Sequence, residues 1–87
     1  MNTTRRYLVL AMRTSAFAAS VIELHRQYLD ALRAQGRLEL TGPFTDQSGG
    51  AYLLRAETLD EARALVADDP LALTGASNLT IKEWAAR

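Results

Sequence analysis

Residues 6–12, RYLVLAM, are apolar at every position from Tyr7 to Met12. Successive side chains of a strand point to opposite faces, so Tyr7, Val9 and Ala11 make one apolar face and Leu8, Leu10 and Met12 the other. Such a strand belongs in the middle of a sheet and requires cover on both sides. The whole chain has 87 residues, room for one compact domain over residues 1–87 and not for two.

The hydrophobic period then changes. From about Phe17 to Gln35, Phe17, Val21, Leu24, Tyr28 and Leu32 recur at intervals of three and four, with Ile22 and Leu29 widening the stripe and Gly36 as a C-cap. This pattern predicts an amphipathic helix. Arg26, Asp30 and Arg33 fall on its other side at pairing distances and read as solvated surface. RLEL (37–40) alternates like a short strand, TGPFTDQSGG (41–50) is dense in turn residues, and AYLLRA (51–56) is apolar on both sides. The three segments predict a hairpin with a longer loop.

Thr58 and Glu61 stand at capping-box spacing, Thr58 accepting from the Glu61 amide and Glu61 reaching back to the Thr58 amide. A second helix is expected from Leu59 to about Asp69, with Ala62, Leu65 and Val66 inward and Pro70 stopping it. Residues 78–85, with Ile81 and Trp84, alternate as a fourth strand at the sheet edge, and Trp84 reads as an edge or interface aromatic. The order is β-α-β-β-α-β, an α+β, ferredoxin-like antiparallel sheet with two helices on one face. Helices on one face leave the other apolar face bare. A second copy stacked sheet to sheet covers it, which predicts a homodimer.

Composition narrows the chemistry. Ten basic and ten acidic residues balance and are scattered, without the basic stripe that nucleic acid requires. Cysteine is absent and histidine occurs once, so disulfides, thiol nucleophiles and a typical zinc site drop out, and no metal or cofactor is expected. The apolar run that begins at Tyr7 is too short for a membrane span or a signal-peptide core, which points to the cytoplasm. The glycines between 41 and 50 lack the G-x-x-x-x-G-K-[ST] of a phosphate loop and are read as a hairpin connection, with Phe44 and Asp46 as candidate rim residues. Ser15, Ser20 and Ser77 lack the setting of a serine nucleophile.

His25 lies in LHRQY, among the apolar positions of the first helix. With Val21 as zero and about 100° per residue, His25 falls at about 40°, between Leu32 at about 20° and Leu29 at about 80°. The imidazole should therefore face the sheet. On the second helix, with Ala62 as zero, Asp69 falls at about 340° and Asp68 at about 240°, so Asp69 is the inward aspartate. Each is costly to bury alone, whereas together they compensate one another. An aspartate bound to one ring nitrogen fixes the tautomer and leaves the other nitrogen for proton transfer. Each residue also has a plainer reading: a lone helix-face histidine is commonly a satisfied crevice residue, and an aspartate before proline commonly bonds nearby amides. Tyr28, one turn after His25, is read as core packing with a hydroxyl able to donate.

Four segments in order, HRQYLDALRAQGRL (25–38), GPFTDQSGG (42–50), TLDEARALVADDPL (58–71) and then Gly75, resemble the YciI-like proteins, the YCII-related domain of the dimeric α+β barrel superfamily. The resemblance covers nearly the whole chain. It implies a ferredoxin-like fold, a dimer formed through the sheets, and a cleft whose proposed active-site residues correspond to His25 and Asp69. Proteins related to this group include a dehydrochlorinase of chlorinated aromatic breakdown. The chain departs from the group in two places: RTSAFAAS offers only Arg13 where the family carries one or more arginines before the histidine helix, and Leu71 stands where an aromatic often follows Asp-Pro. The function expected is a cofactor-independent lyase or isomerase, with His25 and Asp69 as the catalytic pair acting on a small organic acid or phenol. The alternative is a non-catalytic small-ligand-binding or structural dimeric module.

Overall fold

The computed structural model describes residues 4–87; the first three residues, part of the segment read for a leader, lie outside it. The elements run β1 (Arg5–Arg13), α1 (Val21–Ala34), β2 (Leu38–Pro43), β3 (Gly49–Ala56), α2 (Leu59–Ala67), α3 (Pro70–Leu73) and β4 (Ser77–Glu83). The four strands form one antiparallel sheet in the order β2-β3-β1-β4. The α+β, ferredoxin-like arrangement is therefore present, with β1 in the interior and β4 at an edge as the apolar pattern demanded. No helix among the described residues is long and apolar enough to cross a membrane.

The helices cover the face that carries Tyr7, Val9 and Ala11. Tyr7 and Val9 are fully buried, and Tyr52, Leu54 and Ala56 of β3 join them beneath Leu29 and Leu32 of α1 and Ala62 and Val66 of α2. Each fully buried aliphatic side chain of this kind contributes about 1.5–3 kcal/mol. On the opposite face Leu8 pairs with Leu53 and Leu10 with Ala51. Leu40 is 67% exposed and Met12 41% exposed there. At one end of that face Arg6 and Arg55 stand directly opposite each other, a repulsive arrangement. Glu39, at an irregularity in the β2–β3 register, relieves it by accepting from both guanidinium groups. The hydrogen bond from Arg55 holds the Glu39 carboxyl below the usual carboxylate range.

Several boundaries differ from the sequence expectation. Helix α1 starts at Val21, not Phe17, because residues 14–20 form turns: Thr14 accepts from the Ala16 amide at 3.1 Å and donates to the Gly75 carbonyl at 2.7 Å. The end of α1 matches expectation. Gly36 has φ +73°, the Gly36 amide donates to Arg33 and the Arg37 amide to Leu32, which is the Schellman closure that glycine permits. The loop read over 41–50 shrinks to residues 44–48, since β2 runs to Pro43 and β3 begins at Gly49. Asp46 accepts from the amide and hydroxyl of Ser48 to close it.

Helix α2 is capped by Thr58, whose hydroxyl accepts from the Glu61 amide at 3.1 Å. Glu61 returns to the Glu57 amide and not to that of Thr58. It is also held by Arg37, which keeps its carboxyl low. The larger correction concerns the end of this helix. It stops at Ala67, Asp69 is extended (φ −64°, ψ 127°), and Pro70 opens a separate short helix, α3, so the described residues hold three helical segments and not two. Proline drives the preceding residue out of helical geometry while its own fixed φ suits a first helical turn.

Gly49 lies so close to β1 that an added Cβ would collide with the Ala11 carbonyl, whereas a Cβ on Gly42 would meet open space. Gly49→Ala is expected to lower stability by about 2–3 kcal/mol, the cost of forced overpacking, and Gly42→Ala to change it by less than about 0.5 kcal/mol. Urea unfolding of the two variants checks the pair.

Candidate functional site

The break between α2 and α3 determines where Asp69 points. As the residue capping α3, it accepts from the Leu71 amide through Oδ1 at 2.9 Å. The same oxygen lies 2.8 Å from His25 Nδ1, and Oδ2 accepts from the Tyr52 hydroxyl at 2.9 Å. Asp69 is completely buried. A carboxylate offers only acceptors, so in the neutral imidazole the contact places the proton on Nδ1, and Nε2 is the nitrogen not engaged by Asp69. The expected pairing of an inward histidine with Asp69 is met, although not by the helical projection used to predict it: Asp69 is outside α2, and proline-imposed geometry turns it inward. Its plainer reading holds as well, since the same carboxylate bonds the nearby amide.

Tyr52 was read from sequence only as a strand residue. Its alternation with Leu54 on the helix face was the available signal, because a buried tyrosine hydroxyl needs a partner. Burial, together with the negative charge of Asp69, pushes the Tyr52 phenol well above its ordinary value, so it remains a donor. Tyr28 donates to the Leu65 carbonyl at 2.8 Å, and burial pushes its phenol up to about 12. The rings of His25, Tyr28 and Tyr52 form a triangle: His25 stacks on Tyr28 with centroids 6.2 Å apart and an interplanar angle of 22°, it tilts against Tyr52 at 5.9 Å, and the two tyrosines meet edge-on at 6.2 Å. Its orientation is thus set by contacts with three residues, Asp69, Tyr28 and Tyr52.

A fifth of the His25 side chain remains exposed, and that part faces a cleft of about 550 Å³ between α1 and the ends of β2 and β3. Ile22, His25 and Leu29 form the helical wall, Tyr52 and Ala51 the strand side, and Leu71 and Phe17 close one end. Most of this lining is apolar. Phe44 and Asp46, the candidate rim residues, do not line it; Thr41, Gly42 and Pro43 do. Arg26, Asp30 and Arg33, read as solvated surface only, are exposed but border this cleft. Ile22, at 40% exposure, also belongs to the cleft wall and not to the core. No group of three or more His, Asp or Glu side chains among the described residues could hold a metal ion.

The YCII-related domain model matches residues 6–85. The chain belongs to the YCII-related domain family. A curated relative, "Uncharacterized protein YjpA" of Bacillus subtilis (strain 168), is 47% identical over 78 residues, which covers 90% of this chain and 92% of the relative. Among solved structures, 5-chloro-2-hydroxyhydroquinone dehydrochlorinase (TftG) of Burkholderia phenoliruptrix AC1100, in complex with 2,5-dihydroxybenzoquinone, superposes with a TM-score of 0.74. It is 21% identical, and the match covers 94% of this chain and 95% of that one. At that identity the likeness concerns the fold.

Removing the Asp69 carboxylate strands three donors in the interior. Asp69→Ala is expected to cost about 3–5 kcal/mol, and Tyr52→Phe, which leaves only one carboxylate oxygen without a donor, about 1–3 kcal/mol. Chemical denaturation of both variants measures the difference.

Proposed function

We propose that this YCII-family protein is a cofactor-independent lyase or isomerase acting in the cytoplasm on a small organic acid or phenolic substrate. In this reading Asp69 holds the Nδ1–H tautomer and His25 Nε2 moves the proton. The observation that carries the proposal is a histidine whose Nδ1 is 2.8 Å from a fully buried aspartate while the same ring borders an open cleft. A pair that merely completed the core would need no cavity beside it, and about 550 Å³ is the size of an ordinary small-molecule site.

The chemistry follows from those groups. His25 Nε2 takes a proton from an acidic carbon or from a hydroxyl of the substrate. From carbon, the C–H electron pair forms a C=C bond to the neighbouring carbon, and in a lyase a group on that carbon, such as chloride, departs with its bonding electrons. From a hydroxyl on a C=C, the new C=O is matched by a shift of that double bond toward the adjoining saturated carbon, which loses the group with its bonding electrons. In an isomerase the imidazolium returns the proton at a second carbon. Positive charge on the imidazole is balanced by Asp69, which stays hydrogen-bonded through the Leu71 amide and Tyr52. The dehydrochlorinase of the same fold makes 5-chloro-2-hydroxyhydroquinone the first compound to try. Chloride release is expected to fall about 100-fold or more in His25→Ala and substantially in Asp69→Asn. Unchanged turnover in both variants would end the catalytic reading. Binding of the compound with no chloride release would favour the non-catalytic ligand-binding alternative.

The sheet face away from the helices supports a second component of the proposal, a homodimer stacked through Leu8, Leu10, Met12 and Leu40. Leu40 and Met12 in particular are large apolar side chains left exposed on one chain, and face-to-face sheet packing hides such rows. Leu10→Lys is expected to convert the dimer to a monomer in analytical ultracentrifugation while leaving the far-ultraviolet circular dichroism intact. A monomeric wild type would count against this assembly.

A further inference from the structure

Ser77 opens β4 and is directly opposite Arg13 in the register of β1 and β4. Cross-strand partners of this kind share a face, with Cβ atoms about 4.5–5.5 Å apart, and both residues line the cleft. Ser77 is only 6% exposed, yet its hydroxyl enters no hydrogen bond among the described residues. Every sealed side-chain nitrogen or oxygen among those residues has a partner, so the Ser77 oxygen is not sealed: its remaining exposure opens into the cleft that it lines. A serine that is more than nine-tenths buried with its hydroxyl left to a cavity is unlike the core, where polar groups are consistently matched.

Its neighbour has the same character. The Arg13 guanidinium lies over the Phe17 ring, 4.1 Å from the centroid, and has no carboxylate partner among the described residues. Stacking holds the group in place without neutralising it. Of the other arginines that border the cleft, Arg26 is paired with Glu23 at 3.5 Å. The acidic groups of the cleft region, Asp30 on its border and Asp69 behind His25, lie with α1, so the cation beside Ser77 is Arg13, where low-dielectric cleft walls strengthen its field.

We infer that Ser77 and Arg13 form the anion-holding end of the cleft and take the ionised oxygen, carboxylate or phenolate, of a small flat ligand. The inference rests on the proposal that the cleft is a ligand site, and it assigns the two ends of that ligand. The Ser77 hydroxyl donates to the charged oxygen and Arg13 supplies the countercharge, a charge-assisted pair of the stronger kind. The apolar body of the ligand lies against Tyr52, Leu29 and Phe17, and the atom that exchanges a proton faces His25. Ser77 is a binding and specificity residue in this arrangement, not a nucleophile. It also supplies an anion contact from β4 in a chain that has only Arg13 ahead of the histidine helix.

The test uses the full-length protein and three probes: benzoate, 4-nitrophenolate and, as the uncharged counterpart, benzamide. Binding is followed by amide proton and nitrogen shifts of Arg13, Phe17 and Ser77. At least one anion is expected to saturate those shifts, with benzamide weaker by about tenfold or more. Saturation by benzoate identifies a carboxylate site, and saturation by 4-nitrophenolate alone a phenolate site. Ser77→Ala should weaken the anion by about tenfold, Ser77→Thr should restore most of the loss, and Arg13→Gln, a change at an exposed side chain, should weaken it at least as much. The inference is overturned when neither anion saturates, when benzamide binds as well as benzoate and 4-nitrophenolate, or when Ser77→Ala and Arg13→Gln both bind as the wild type does. His25→Ala is expected to keep anion binding within about threefold. Lost turnover with retained binding in that variant therefore reports on proton transfer, and the Ser77 and Arg13 variants report on the anion site.

Discussion

A fully buried carboxylate is the constraint on which this structure turns. Asp69 is removed from solvent and its two oxygens take contacts from three places: His25 on α1, Tyr52 on β3, and the Leu71 amide at the start of α3. Leaving such a group without donors costs several kcal/mol. The helix, the strand and the helix break must consequently be in place together, and the geometry that satisfies the carboxylate is the geometry that orients the imidazole. Stability and the candidate chemistry are joined at one side chain.

The helix break is what makes this possible. A continuous α2 through Asp69 would have committed the Asp69 backbone to helical geometry. Pro70 instead holds the preceding residue extended, which lets the aspartate side chain cap its own next turn and still face α1. The two faces of the sheet then serve different ends. Residues of β1 alternate, so Tyr7, Val9 and Ala11 underlie the helices and the cleft, while Leu8, Leu10 and Met12 point away from the helices. Because neighbouring residues of one strand point in opposite directions, substitutions on one face can be made without entering the other.

Much of the fold was legible in the chain because it rests on local periodicity. The change from the continuous apolar run of β1 to the three-and-four spacing of α1, the Gly36 closure and the Thr58 cap all appear where local pattern places them. One misplacement, the early end of α2, is local and set by Pro70; others come from interactions between distant residues. Thr14 bonds to Gly75 and delays α1 to Val21, Gly49 and Gly50 are drawn into β3 by pairing with β1 and β2, and Leu24 lies on the apolar arc yet is 51% exposed, because the arc is wider than the surface that covers it.

The sequence by itself determined the α+β order, the interior place of β1, and the two residues, His25 and Asp69, that come within hydrogen-bonding distance. Hydrophobic spacing and a lone polar group within it are properties of nearby residues, and they can be read along the chain. Only the tertiary structure decided that Tyr52 shares the Asp69 carboxylate, that Arg26 and Arg33 border the cleft, and that Ser77 lies opposite Arg13 on the cleft lining. Those facts depend on which strand lies against which and on what each buried polar atom finds there, and no local pattern carries that information.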